Sequence, residues 1–176
     1  MSPKDLCLVE FLPEMIEAGI DSFKIEGRTK STYYVSCVAK AYKSAINEYK
    51  EKGKIDVDFY KTELLKVRNR GYTTGFFTGK SQKGKYAIEK EEQTVGNTFC
   101  AQVLDKTENG IKVLVKNNLN KTQEYEYITP QEAKKVKITK IINQYDLEDD
   151  IAKTNDIVTL TFDTMPETFK YGLLRY

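Results

Sequence analysis

Histidine is absent from the 176 residues of the chain. Without imidazole, the chain cannot form a Ser-His-Asp triad, a Cys-His pair or an H-E-x-x-H zinc helix by itself. A hydrolytic mechanism confined to these residues would need carboxylates or a lysine. The missing histidine therefore excludes most peptidase chemistry from the chain on its own.

Cysteine is scarce, and long apolar runs are missing. Cys7, Cys37 and Cys100 are scattered and form no C-x-x-C pair, which is not a disulfide framework and indicates a reducing compartment. No apolar run approaches the roughly 20 residues that span a bilayer, and the amino end lacks the apolar core of a signal peptide. We therefore expect a cytoplasmic protein without a membrane partner.

The charge is nearly balanced, with a net value of +2. Neither half of the chain is basic enough to identify a nucleic-acid surface. Only four of the 28 cations are arginines, and Arg28, Arg68 and Arg70 lie in the first half. Arginine binds phosphate and carboxylate better than lysine does, so these three are candidates for anion binding, with a solvated ion pair as the alternative.

The first eighty residues predict three helices and one strand. Pro13 and Gly19 fit the ends of a short helix, and residues 22–26 alternate like a strand. Residues 31–51 form an apolar stripe at helical spacing, which consists of Val35, Val38, Tyr42, Ala45 and Tyr49. A further helix is predicted over residues 58–69. Helix, strand and helix in succession are typical of a parallel α/β sheet or barrel, and we expect the rest of that barrel to lie outside this chain.

The remainder predicts strands. Residues 80–93 are polar and predict an exposed linker. From Thr94 onward, apolar residues recur at every second position, which is the spacing of a strand. Asn109-Gly110 predicts a hairpin turn. Short strands are predicted at residues 99–103, 111–115, 123–128, 135–142, 156–162 and 171–174. Several short strands separated by turn signals indicate a small closed antiparallel β-barrel.

Three blocks of the sequence then resemble a known family. They are residues 3–28 (PKDLCLVEFLPEMIEAGIDSFKIEGR), residues 70–76 (RGYTTGF) and residues 172–175 (GLLR). They resemble the peptidase U32 family, whose members are often labelled collagenase-like proteases. The chain departs from many members at Phe11, where they have a histidine, so no role of that histidine carries over.

The resemblance implies an α+β fold. Residues 1–79 would be the end of a TIM-like catalytic α/β barrel with the following helices, residues 80–93 the linker, and residues 94–176 the small β-barrel domain that ends the family's chains. The chain would then be the carboxy-terminal portion of a longer enzyme, and we expect it to be inactive alone.

The resemblance also implies activities and cofactors. Family members hydroxylate RNA: some act on a tRNA wobble uridine with prephenate involved, others on a ribosomal RNA cytidine. Quinone-hydroxylating relatives bind a [4Fe-4S] cluster through four cysteines, and the cysteine of the D-L-C block corresponds to Cys7. The other cluster cysteines lie upstream of the matched region, and Cys37 and Cys100 match none of them. Because one thiolate cannot hold such a cluster, none is expected here, and burial as a small apolar side chain is the alternative for Cys7.

Two further groups are candidates for substrate binding. Lys24, Glu26 and Arg28 alternate, so that their side chains point the same way along a strand, and strand ends carry the chemistry of α/β barrels. Glu26 and Arg28 would hold a carboxylate-bearing cosubstrate or an RNA phosphate, with a structural ion pair as the alternative. Tyr72 and Thr74 would line a pocket, unless they belong to a packed turn.

Three functions remain open at this point. The favoured one is part of an RNA hydroxylase that acts on structured RNA, either tRNA or rRNA. The second is a collagenase-like peptidase, for which residues outside the chain would have to supply the catalytic groups. The third is a noncatalytic RNA- or protein-binding module, in which Lys134, Lys135 and Lys137 either follow a phosphate backbone or form a solvated strand face.

Overall fold

The computed structural model describes residues 2–79, 86–87 and 97–176. The chain divides into two compact units, Met1–Gly96 and Asn97–Tyr176. Most of the predicted linker, residues 80–93, lies outside the described residues. No helix within the described ranges is long and apolar enough to cross a membrane.

The described residues of the first unit form three α-helices and four very short strands. The helices are α1 (Leu12–Glu17), which follows a 3-10 turn at Val9–Phe11, α2 (Thr32–Lys52) and α3 (Val57–Leu65). The strands are β1 (Ser2–Pro3), β2 (Asp5–Leu6), β3 (Tyr72–Thr73) and β4 (Tyr86–Ala87). Strands β2 and β3 pair in parallel, whereas β1 and β4 pair antiparallel.

The long helix α2 confirms the predicted helix at residues 31–51. The Ser31 hydroxyl accepts a hydrogen bond from the Tyr34 amide at its amino end, and Gly53 ends it in the left-handed region at φ 68°. Val38 and Ala45 of the predicted apolar stripe are buried, but Val35 is 38% exposed, and the buried face also includes Tyr33, Cys37 and Ala41. Helix α3 ends at Leu65, before the predicted end at residue 69, because the chain turns at Lys66 and is not helical over residues 67–69.

The predicted strand at residues 22–26 is not formed. Residues 20–27 have no regular secondary structure, and among the described residues no strand pairs with them. A strand needs a neighbour to satisfy its backbone groups, and alternation of side chains cannot supply one. The TIM-like barrel portion accordingly stays a prediction.

The second unit is a closed six-stranded antiparallel barrel, as predicted. Its strands are β5 (Phe99–Thr107), β6 (Gly110–Val115), β8 (Glu124–Ile128), β9 (Ala133–Ile142), β12 (Ile157–Phe162) and β13 (Leu173–Arg175). They pair in the order β9-β12-β6-β5-β13-β8, and β8 pairs again with β9 to close the barrel. Three two-residue strands complete the unit: β7 (Leu119–Asn120), β10 (Glu148–Asp149) and β11 (Ile151–Ala152).

The barrel core follows from the period-two pattern. Inward side chains of the strands form one apolar cluster that includes Val103, Val113, Ile138 and Leu160. Each fully buried aliphatic side chain contributes roughly 1.5–3 kcal/mol relative to an exposed one. Closure removes exposed strand edges, which a unit this small could hardly cover otherwise.

Candidate functional site

The first unit contains a cavity of about 800 Å³. It lies between α2, which contributes Tyr34, Val38 and Tyr42, and the irregular residues 22–30, and it reaches Arg70. A volume in this range fits a small molecule. The irregular segment forms one wall because it leaves α1 after Gly19, which has φ 80°, and returns to α2 at the Ser31 cap.

One buried carboxylate organises part of the cavity wall. Asp5 is 8% exposed, and its Oδ2 accepts a hydrogen bond from Lys30 Nζ at 2.8 Å. Its Oδ1 accepts from Arg70 Nε at 3.1 Å and from Nη2 at 2.7 Å. Burial raises the pKa of Asp5, but the hydrogen bonds from Lys30 and Arg70 outweigh that effect and hold the pKa below its ordinary value of 3.8. Asp5 is therefore ionised at neutral pH and binds both cations.

The predicted binding residues Lys24, Glu26 and Arg28 all line this cavity and are exposed. They are brought together by an irregular segment and not by the strand that the alternation predicted. The Glu26 carboxylate accepts a hydrogen bond from the Arg28 backbone amide at 3.2 Å. Together with Lys30 and Arg70, the cavity wall has four cations against the two carboxylates of Asp5 and Glu26, a balance that favours anionic ligands.

Tyr72 and Thr74 lie elsewhere. The Tyr72 hydroxyl donates to the Leu64 carbonyl at 2.8 Å, which packs the ring against the end of α3, and burial raises the pKa of Tyr72. Neither residue lines the cavity. The Thr74 hydroxyl oxygen is buried and has no hydrogen-bond partner among the described residues.

Cys7 follows β2 and is partly exposed. Its backbone amide donates to the Thr73 carbonyl at 3.0 Å, and its Sγ lies 3.6 Å from the Tyr42 hydroxyl, within hydrogen-bond distance for sulfur. The same hydroxyl accepts from the Leu8 amide at 3.1 Å. Burial, followed by the neighbouring Cys7 sulfur, raises the pKa of Tyr42, so the hydroxyl keeps its proton.

Sequence reasoning missed part of this site. For Arg70 the sequence leaves anion binding and an ion pair open, and the structure shows the ion pair, with Asp5. The sequence does not indicate Asp5 as the partner, although Asp5 belongs to the same D-L-C block as Cys7. The helical spacing places Tyr42 in the apolar stripe of α2, whereas the structure shows its hydroxyl in contact with Cys7. A tyrosine in an apolar stripe has a hydroxyl that needs a hydrogen-bond partner when buried. This need indicates a polar contact at Tyr42, although it does not identify the partner.

Comparison with known proteins places the first unit in one family. Residues 1–87 match the model of peptidase family U32. An uncharacterized protease of Methanocaldococcus jannaschii is 44% identical over 93 residues, which are 51% of this chain and 23% of that protein. A collagenase of Porphyromonas gingivalis is 40% identical over 82 residues, covering 45% of this chain and 22% of that protein.

A longer match reaches into the second unit. The tRNA hydroxylation protein P1 of Bacillus subtilis is 37% identical over 136 residues, covering 74% of this chain and 32% of that protein. The chain thus spans between about a fifth and a third of the length of these curated relatives.

Among solved structures, the C-terminal domain of a Geobacillus thermoleovorans protein described as a U32 peptidase is 26% identical, with a TM-score of 0.40. It covers 45% of this chain and 99% of that domain. On the family match and these curated relatives, the chain belongs to peptidase family U32.

Proposed function

We propose that this chain is part of an RNA hydroxylation protein that acts on tRNA. The extent of similarity carries the proposal. Relatives named tRNA hydroxylation protein from Bacillus subtilis and Haemophilus influenzae match 74% and 82% of the chain, more than the 96 residues of the first unit can account for. The protease and collagenase matches cover 51% and 45%, which the first unit alone could accommodate.

The cavity of the first unit is the proposed cosubstrate site. Lys30 and Arg70 are already engaged by Asp5, so Lys24 and Arg28 are the cations that an incoming anion would meet. A guanidinium binds a carboxylate through two parallel hydrogen bonds. Prephenate, a cyclic dicarboxylate, is the proposed cosubstrate, with Arg28 holding one carboxylate and Lys24 adding positive charge.

Cys7 is the proposed thiolate ligand of a [4Fe-4S] cluster in a longer protein. Such a cluster takes four ligands, and the described residues contain no group of three or more His, Cys, Asp or Glu side chains able to hold a metal. This chain by itself therefore does not fit the cluster, and the remaining ligands would come from residues outside it.

The cluster assignment has a spectroscopic test. The full-length protein, purified without oxygen, should show the brown absorption of an iron-sulfur cluster. Cys7→Ala should diminish that absorption, while Cys37→Ala, at a buried position of α2, should leave it. An unchanged visible spectrum in Cys7→Ala would remove Cys7 from the ligand set.

The irregular wall of the cavity suggests what the longer protein adds. In the proposed TIM-like barrel, residues 20–27 pair with strands outside this chain, and the exposed side chains of Ile20 and Ile25 become buried. Amide hydrogen exchange of residues 21–26 should therefore be fast in the 176-residue chain and slow in the full-length protein. Equal exchange rates in the two proteins would contradict the barrel assignment.

Nucleoside mass spectrometry tests the hydroxylation itself. Cells that lack the full-length protein should lose hydroxylated uridine from tRNA, and the wild-type gene should restore it. Arg28→Lys should restore it poorly, because lysine lacks the planar fork. Arg68→Lys, which changes an exposed arginine outside the cavity, is the matched control. Unaltered tRNA hydroxylation in the deletion strain would overturn the proposal.

A peptidase is the second candidate. The protease of Methanocaldococcus jannaschii is 44% identical over 93 residues, whereas the tRNA hydroxylation protein of Bacillus subtilis is 37% identical over 136 residues. The higher identity over the shorter match is the observation that favours a peptidase. Cleavage of collagen by rigorously purified full-length protein, lost on Arg28→Lys and unaffected by Arg68→Lys, would support this candidate against the hydroxylase.

A further inference from the structure

The segment between β12 and β13 exposes three large apolar side chains. Met165 is 45% exposed, Phe169 38% and Tyr171 63%, all within residues 163–172. Scattered exposed apolar residues are ordinary on a protein surface. Here the three side chains are clustered in one short loop of the barrel unit, which is not the scattered distribution of an ordinary surface.

Tyr171 adopts a backbone conformation that disfavours it. Its φ is 69°, in the left-handed region where a bulky side chain is a genuine outlier. Glycine would occupy this position at no steric cost. Yet a tyrosine ring is present and directed largely to solvent, where it contributes little packing.

Hydrogen bonds on both sides hold the loop in this conformation. The Tyr171 amide donates to the Val103 carbonyl at 3.1 Å, and the Gly172 amide donates to the Phe169 carbonyl at 2.8 Å. The Phe169 amide donates to the hydroxyl of buried Tyr127 at 2.9 Å. A Cβ on Gly172 would lie 2.7 Å from that hydroxyl and 2.9 Å from the Phe169 carbonyl oxygen. The backbone that presents the Tyr171 ring is therefore tightly constrained.

A cation accompanies the exposed ring. Lys170 Nζ lies 5.7 Å from the centroid of the Tyr171 ring. A solvent-exposed aromatic face beside a flexible cation is the combination with which small barrels bind single-stranded nucleic acid, since the ring stacks on a base and the cation meets a phosphate.

We propose that Tyr171 is a stacking platform for an unpaired base of RNA, with Lys170 contacting the adjoining phosphate. Unpaired bases are the part of a folded RNA that aromatic side chains can reach. The choice of RNA over a peptide rests on the proposed tRNA hydroxylation function. The strain at Tyr171 is then retained because it orients the ring outward.

Fluorescence anisotropy of the 176-residue chain tests the platform. The probe is an end-labelled eight-nucleotide RNA of mixed, non-self-complementary sequence, compared with a blunt duplex of the same sequence. We expect the single strand to bind more tightly than the duplex, and Tyr171→Leu to weaken single-strand binding about fivefold or more. Tyr171→Phe should bind like the wild type, because the ring remains.

Three further variants separate the role of the ring from folding, from general surface effects and from charge. Tyr171→Gly removes the ring and relieves the left-handed strain, so its unfolding midpoint should be unchanged or higher while RNA binding is lost. Tyr145→Leu changes another exposed tyrosine, 74% accessible, and should bind as the wild type does. Lys170→Gln should reduce the salt dependence of binding, whereas Tyr171→Leu should not.

These experiments can distinguish failure of the stacking proposal from failure of the tRNA hydroxylation proposal. Absence of single-strand binding, or binding that Tyr171→Leu leaves unchanged, overturns the platform even if cells require the protein for tRNA hydroxylation. Conversely, Tyr171-dependent binding with unaltered tRNA in the deletion strain retains the platform and overturns the hydroxylation proposal alone.

Discussion

Asp5 and Arg70, 65 residues apart in the chain, are joined by two hydrogen bonds to one carboxylate oxygen, from Nε at 3.1 Å and from Nη2 at 2.7 Å. The Asp5 backbone amide donates to the carbonyl of Gly71, the residue that follows Arg70, at 2.9 Å. The side-chain and backbone contacts together connect β2 to β3. Lys30, on the other carboxylate oxygen, extends the connection to the segment that enters α2.

Asp5→Asn should destabilise the first unit, because two cations lose their anionic partner and the buried position keeps a weaker acceptor. We expect the free energy of unfolding to fall by about 1–3 kcal/mol. Urea unfolding followed by circular dichroism at the helical band measures this, since the described α-helices all lie in the first unit.

The matched control for this variant is Glu10→Gln. Glu10 accepts one hydrogen bond, from Lys61 at 2.5 Å, and its side chain is 31% exposed. A partly solvated ion pair of this kind contributes about 0–1 kcal/mol. Equal losses in the two variants would contradict a special role of Asp5.

The contribution of Asp5 should also depend on pH. Its folded-state pKa is lower than the ordinary value of 3.8, so the unfolded chain takes up a proton first as the pH falls. The stabilisation is therefore fully present above about pH 5 and is lost as the pH falls through the folded-state pKa. The difference in unfolding free energy between wild type and Asp5→Asn should shrink as the pH falls below the ordinary pKa of 3.8. A difference in unfolding free energy that grows on acidification would contradict this prediction.

Local signals in the sequence predicted much of the fold. The Ser31 cap and Gly53 bound α2 closely because each acts through backbone groups within a few residues. The alternation of apolar residues predicted the barrel strands, since a closed barrel has one apolar interior. These features depend on neighbouring residues alone.

Features that depend on distant residues were not predictable. The strand expected at residues 22–26 requires a partner strand, which the described residues do not supply. The Asp5–Arg70 contact joins residues that no spacing rule connects. Of the candidate site, the alternation of Lys24, Glu26 and Arg28 identified these three residues, although the strand that it predicted is not formed, and it did not predict the cavity that they share with Lys30.

The Asn-Gly signal predicted the correct hairpin for a different physical reason. Thr107 pairs with Gly110, so the loop consists of Glu108 and Asn109, and neither has a positive φ. Gly110 belongs to β6, and its missing side chain allows close approach of a neighbouring strand. The left-handed turn that Asn-Gly favours is therefore not formed.

Thiol reactivity should separate the three cysteines. Burial raises the pKa of Cys100 to about 12, and its thiol donates to the Thr98 carbonyl at 3.2 Å. Cys37 is also buried, whereas Cys7 is partly exposed. At about pH 8, an aromatic disulfide reagent should label Cys7 rapidly in the native chain and the other two only in denaturant.

Peptide mapping locates the labelled cysteine. Cys7→Ser should abolish the rapid phase and leave the slow reaction of the other two thiols. Native labelling of Cys100 at the rate of Cys7 would show that the β5 strand opens far more readily than its burial indicates.

Gly110→Ala should destabilise the barrel more than an ordinary turn substitution does. An added Cβ would lie 2.3 Å from the Leu160 carbonyl oxygen and 3.0 Å from its carbonyl carbon, and these are backbone atoms of β12 that cannot rotate away. Either β6 or β12 must shift, at a cost of about 1–3 kcal/mol or more.

Asn109→Ala is the control, because its backbone carbonyl still accepts from the Thr161 hydroxyl. Scanning calorimetry should show a clearly lower midpoint for the barrel transition in Gly110→Ala and a small shift in Asn109→Ala. Equal midpoints would mean that the β6–β12 approach relaxes freely and that glycine is not required there.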